Sequence, residues 1–428
     1  METLEYKNVQ ETLYREVLDN GLEVIVLPKP GFQKTYATFA TKYGSVDNRF
    51  AVEGEEPSKM PDGIAHFLEH KMFEEPTGDI FATFASQGAS ANAFTSFDRT
   101  VYLFSATEQI TANLETLIDF VQNPYFTDEN VNKEKGIIEQ EINMYKDNPD
   151  WQVYFGLIDA MYHNHPIHID IAGTVESIYQ IDKETLYRCY ENFYHPSNML
   201  LFVVGGVDAA EVFELVRNNQ ANKNFKPQGE IHRYFEDEPA SVKIPRKVTK
   251  LPVSLPKVMF GFKEKHTGLP PAELLEQEVL SKLMLDALFG ASSSLYQDLY
   301  EENLISDSFG SEFNSSDNYA FSVIGGDSPD PEALLGKVRA AVEEALKTGI
   351  SEEAFERSKR KKIGSYLRML NSPEAIASEF TRYRFRDSDM FDLLPLYENS
   401  TLEQVNARLR EHFDFGQVAV SIVEKAGE

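Results

Sequence analysis

Eight residues, Gly63-Ile64-Ala65-His66-Phe67-Leu68-Glu69-His70, constrain this chain more than any other stretch. On a helix of 3.6 residues per turn His66 and His70 fall one turn apart on the same face, with Glu69 beside them. Ile64, Ala65, Phe67, Leu68, Met72 and Phe73 make the segment apolar almost all round, which predicts a buried helix. Buried imidazoles and a buried carboxylate need partners. Zinc suits them: two neutral imidazoles at i and i+4 can coordinate the ion, while the adjacent carboxylate is poorly placed as a ligand and well placed to take a proton from water. The competing reading is a surface helix with two solvated histidines, which the apolar surroundings disfavour.

A chain of 428 residues, 42% hydrophobic, is too long for one ordinary core and long enough for two domains of about 200 residues each. The net charge of −28 leaves no basic surplus to neutralise phosphates, so nucleic acid is not an expected partner. An acidic surface would attract basic peptides, although solubility alone also explains it. The single cysteine, Cys189, excludes an intrachain disulfide framework and a thiolate cluster, and its setting reads as a packed helix position. Met199 to Val204, the longest apolar run, is far too short to cross a bilayer, so no membrane partner is expected. Met1-Glu2-Thr3-Leu4-Glu5 resembles neither a secretory signal nor a transit peptide, and a cytoplasmic location is expected.

Asn20-Gly21 between two β-prone runs predicts a hairpin. Thr35 to Tyr43 reads as a strand, Phe94 to Ser105 as a single further strand, and Ile110 to Val121 as a helix ended by Asn123-Pro124. Between residues 218 and 250 the composition turns polar, which places an interdomain linker there, an N-terminal domain over 1–217 and a C-terminal domain over 251–428. After the linker the pattern restarts with a strand at Val258 to Phe262, a helix from Ala272 to Phe289 and a strand at Phe321 to Gly325. Long helices follow from Ser351 and from Ser372-Pro373-Glu374, the latter with a serine cap and proline at its first position. The recurrence suggests duplication of one α+β unit.

Zinc needs a further protein ligand from another element. The acid-rich helix from Thr127 to Tyr145 is the best source: Glu134 and Glu141, seven apart, share a face with Ile138 and Tyr145, whereas Glu139 points the opposite way. Glu141 then becomes the ligand and Glu134 the carboxylate supporting what binds the metal. The competing reading is a solvated acidic face; the interleaved Ile137, Ile138 and Ile142 speak against it. His163, His165 and His168 are a tempting cluster, but Pro166 breaks the helix and no carboxylate matches their spacing, so a loop is expected.

These residues together resemble the pitrilysin and insulinase family of zinc peptidases with the inverted motif His-x-x-Glu-His. Gly63 to His70 resembles the family's zinc helix, Ser90 to Ser96 its Asn-Ala-Phe-Thr strand, and Glu134 with Glu141 its second acidic motif. Leu18 to Leu22, Ala172-Gly173-Thr174 and Phe193 to Met199 are similar to further landmarks, and the length resembles the half-size, processing-peptidase-like bacterial members. The resemblance implies an α+β fold of two similar domains, each a mainly antiparallel sheet flanked by helices, forming half of a clam-like chamber. It implies one Zn²⁺ per chain held by His66, His70 and Glu141, Glu69 as general base, and a strand at Asn92, Ala93 and Phe94 that takes a peptide by β-augmentation.

One departure stands out. Ser292 to Glu301 resembles the family segment that leads into an arginine and, seven residues later, a tyrosine that hold substrate over the metal; here those positions are Tyr300 and Asp307. Neither offers a guanidinium fork or an oxyanion-stabilising phenol in the expected place. The expected function is a zinc-dependent endopeptidase, or its zinc-bearing subunit, with a homologous partner supplying the Arg and Tyr in a heterodimer, or in a homodimer. The alternative is a non-catalytic peptide-binding or scaffold subunit.

Overall fold

The Asn20-Gly21 signal produces a hairpin: Glu11–Val17 and Glu23–Pro28 pair antiparallel, with Gly21 at φ 89° and so close to Ser197 that a Cβ would stand 2.7 Å from the serine's own. The computed structural model describes residues 1–76 and 78–426. They divide into two units, neither of which is one continuous stretch of chain. The first comprises Met1–Ile142, Ile169–Phe235 and Leu370–Phe385; the second Asn143–His168, Glu236–Met369 and Arg386–Glu428.

The first unit is built on a sheet whose described strands run in the order Glu2–Tyr6, Glu11–Val17, Glu23–Pro28, Met199–Gly205, Thr35–Thr41, Thr100–Ala106 and Ala89–Thr95. Only Met199–Gly205 against Glu23–Pro28 is parallel among these pairs. The apolar run from Met199 is buried on both faces, and side-chain alternation explains why. Leu201 and Val203 turn into the main core with Phe67, Leu68, Leu117 and Phe213 from the helices of one layer. Phe202 points the other way and stacks on Phe380 of the helix Pro373–Arg384, ring centroids 4.5 Å apart. Arg384, at that helix's end, pairs with Glu23 at 2.8 Å.

The second unit repeats the pattern with the order Arg246–Leu251, Val418–Lys425, Lys257–Phe262, Ala320–Asp327 and Gly310–Ser315. Here the first strand runs parallel to the last, as Glu23–Pro28 does to Met199–Gly205 in the first unit, and a hairpin lies at the far edge. The duplication expected from element content is therefore present in topology. The helix Pro149–Met161 packs on this sheet, approaching so closely that a Cβ on Gly156 would lie 2.6 Å from Ser421 Oγ. Each sheet is thus covered by a helix from the other half of the sequence.

Phe94 to Ser105 is not the single strand its composition predicts. Ala89–Thr95 and Thr100–Ala106 form a hairpin around the turn Ser96 to Arg99. That turn carries no glycine or proline; it is fixed from outside, where Ser45 and Val46 donate backbone bonds to Ser96 and Phe97 beside Gly44, whose hydrogen in place of Cβ leaves room for Phe97. No helix among the described residues is long and apolar enough to cross a membrane.

Candidate metal centre

The helix Ile64–Met72 begins at Gly63, held at φ 85° with Ala172's carbonyl oxygen only 2.4 Å from where a Cβ would be. Gly173 meets Asp62 with equal closeness, and Ser177 Oγ donates to the Asp62 carbonyl at 2.7 Å. These contacts aim the helix. Ile64, Ala65, Phe67, Leu68 and Met72 anchor it in the core, leaving His66 and His70 half-buried on the remaining face.

The glutamate helix, Asp128–Lys146, starts from a reciprocal Thr127 and Asn130 cap and buries Val131, Ile138 and Ile142. Ile137, read as interleaved with the core, is instead 45% exposed. Glu139 leaves in another direction and accepts a bond from Tyr179 Oη at 2.6 Å. Glu134 and Glu141 face the histidines.

His66 Nε2 lies 3.7 Å from Glu141 Oε1 and His70 Nε2 3.5 Å from Glu141 Oε2; one donor atom from each of the three side chains falls within 4.8 Å of the others. With bonds of about 2.0–2.1 Å, tetrahedral zinc sets its ligand atoms roughly 3.4 Å apart, so the cluster needs little adjustment to fit. His66 is pushed down to about 3 by burial and by the neighbouring His70, which keeps it neutral at ordinary pH. His70 feels the opposite net effect: burial lowers it, but Glu134, Glu69 and Glu141 together raise it above its usual value.

The two imidazoles are supported unequally. His70 Nδ1 donates to Glu134 Oε1 at 3.0 Å, which turns Nε2 and its lone pair towards the cluster. His66 Nδ1 is buried with no hydrogen-bond partner among the described residues. Burial opposes ionisation of Glu134, yet His70 and Lys71 outweigh it and hold the carboxyl below its usual range.

Glu69 sits beside the cluster, 8% exposed, and accepts a bond from Thr95 Oγ1 at 2.8 Å. Burial raises its carboxyl above the ordinary value, against the pull of Thr95 and His70. Thr95 closes the strand Ala89–Thr95, whose outer edge is open among the described residues. The Ser96 to Arg99 bond sets the hairpin's alternation, so Ala91, Ala93 and Thr95 direct their backbone groups away from the partner strand. Ala93 N–H is met there by Asn92 Oδ1 at 2.9 Å, while Asn92 is exposed and Phe94 half-buried.

His163, His165 and His168 are absent from the metal-capable groups of the described residues. Their backbone explains the turn: Glu238 accepts bonds from the amides of His163, Asn164 and His165 at 2.9, 2.7 and 2.8 Å. Tyr300 and Asp307 are exposed, Tyr300 on the helix Ser294–Glu301 and Asp307 in the loop after it. Sequence reasoning overlooked two contributors, the Ala172-Gly173 platform as a positioning device and Lys71. Gly63 and Gly173 could have signalled the first; no local pattern signals the second.

Residues 55–175 match the family profile "Insulinase (Peptidase family M16)" and residues 180–362 the profile "Peptidase M16 inactive domain". The chain is 52% identical to an uncharacterized zinc protease of Bacillus subtilis (strain 168), YmfH, over 97% of each chain. It is similar to the crystal structure of an M16-like peptidase from Alicyclobacillus acidocaldarius, with 42% identity, TM-score 0.95 and coverage of 99% and 100%. At 17% identity and TM-score 0.74 it shares the fold of the periplasmic protease PqqL from Escherichia coli, covering 99% of this chain and 48% of that one.

Proposed function

Because this chain belongs to the insulinase family, peptidase family M16, we propose that it is a zinc-dependent endopeptidase, or the zinc-bearing subunit of one, acting on peptides or unfolded segments. The observation that carries the reading is the convergence of His66, His70 and Glu141 from two helices, with Glu69 alongside. These three residues would hold one zinc ion. Bound there, zinc would polarise a scissile carbonyl and make water easier to deprotonate. Glu69 takes the proton of the attacking water and returns it to the leaving amine; its raised affinity for a proton suits both transfers. Thr95 fixes the carboxylate through Oγ1. The same residue ends the open edge strand, so a peptide added beside Asn92, Ala93 and Phe94 runs alongside the general base.

The exposed Tyr300 and Asp307 support a division of labour in which a homologous subunit brings the Arg and Tyr. The same two residues favour a second reading, a subunit that binds peptide without cleaving it. The low cysteine content suits a cytoplasmic setting. The test is a peptide-library digest by the zinc-loaded chain alone and with co-expressed homologous chains. Cleavage that Glu69→Gln abolishes is expected; no cleavage in any combination overturns the peptidase reading and leaves the binding subunit.

A further inference from the structure

Lys71 follows the second histidine directly and is completely enclosed, 0% exposed, in a protein where lysines are ordinarily at the surface. Its ammonium has two carboxylate neighbours. It bonds to Glu74, and it lies 3.6 Å from Glu134 Oε2. The other oxygen of Glu134 accepts from His70 Nδ1 at 3.0 Å. Glu134 is therefore gripped at both oxygens, one by the imidazole it orients and one by a cation on the same helix as that imidazole. Without the cation, one oxygen of a buried carboxylate loses its partner, and the carboxylate is free to turn away from His70.

We propose that Lys71 is a positioning residue for the metal site: it fixes Glu134, which in turn holds His70 with Nε2 directed at the cation. The inference rests on the zinc reading above. It assigns Lys71 a role that His66, whose Nδ1 lacks a partner among the described residues, has no counterpart for. His70 is accordingly the imidazole whose orientation depends on other side chains, first Glu134 and behind it Lys71, with Glu74 a further partner of the ammonium that lies outside this path.

The experiment is a double-mutant cycle on the full chain, with the zinc dissociation constant read by competition against a chromophoric chelator and the melting temperature of the metal-free form read separately. Lys71→Met is expected to weaken zinc binding about 10–100-fold, as loss of an outer support does, and Glu134→Gln similarly. The double variant should bind within about threefold of Glu134→Gln alone, because the path from Lys71 to the metal runs through Glu134. Glu74→Gln leaves that path intact and should bind zinc as the wild type does. If Lys71→Met does not fold, Lys71→Gln, which can still donate to Glu74, is read the same way. A folded Lys71 variant with wild-type zinc affinity overturns the proposal, as does a double variant that loses the full product of the two single losses. A wild-type chain that binds no zinc overturns the zinc reading itself.

Discussion

Replacing Glu69 by Gln separates the chemistry of this site from its assembly: turnover should fall while zinc stays bound and the metal-free protein becomes more stable. Gln has the shape of Glu, keeps an oxygen to accept the Thr95 hydroxyl, and lies outside the converging donor set, so zinc should stay bound at one per chain. The proton transfer is lost. A positioned general base contributes about 10²–10⁴ in rate, or roughly 2.7–5.5 kcal/mol of barrier, and kcat should fall by that factor. Stability should not fall with it. Burial raises Glu69's folded value above 4.5, so the folded protein holds that proton more tightly than the unfolded chain. The contribution of the protonated form is fully present below about 4.5 and is lost as pH rises through the raised value. The metal-free Gln variant should therefore melt above the wild type at neutral pH, with the gap closing as pH falls towards 4.5. Peptide hydrolysis, elemental analysis and melting curves at several pH values read all three quantities. Turnover within threefold of wild type with zinc in place removes Glu69 as the base; a lower melting temperature at neutral pH refutes the argument from burial.

Zinc at a hundred times its dissociation constant should stabilise the chain by about 2.7 kcal/mol, seen as an upward thermal shift that Glu141→Ala abolishes. In the second unit Glu264 is held to about 2: burial opposes ionisation, but His412 and Arg408 outweigh it. Its stabilisation is present above its ordinary 4.5 and is lost as pH falls through about 2, so Glu264→Gln should lower the urea midpoint at neutral pH by the equivalent of roughly 3 kcal/mol, and much less at pH 3. Gly63→Ala meets both a positive φ and the Ala172 carbonyl; it should cost more than about 1 kcal/mol in chemical denaturation and weaken zinc binding as the helix tilts.

The candidate site was readable in part because helical spacing is local: His66, His70, Glu134 and Glu141 could be put on faces from their numbers alone. Which faces meet is a tertiary fact, carried here by Gly63, Gly173 and Ser177, and glycine in a sequence does not say what it approaches. Lys71 was unreadable for a different reason. A lysine beside a motif reads as solvated, and only the neighbouring Glu74 and Glu134 make its enclosure tolerable. The turn from Ser96 to Arg99 was missed because the backbone around Gly44 holds it, in place of turn residues of its own. The helix Pro373–Arg384 announced itself through its serine cap and proline, whereas Pro149–Met161, with Asn148 as cap and Pro149 at its start, was not read from the sequence; nothing in either states which sheet it covers.

That exchange of helices has a consequence for biosynthesis. The first unit's sheet is complete once Gly205 has been made, but Phe202 stays bare until Phe380 leaves the ribosome. At about 5–20 residues per second the wait from Phe235 to Phe385 is roughly 8–30 s, during which an apolar face of the nascent chain stays uncovered. A cut between the two halves of the chain should not yield two self-sufficient fragments, because each would lack the covering helix that the other carries. Fragments ending near Phe235 should stay soluble only when residues 370–385 are supplied in trans.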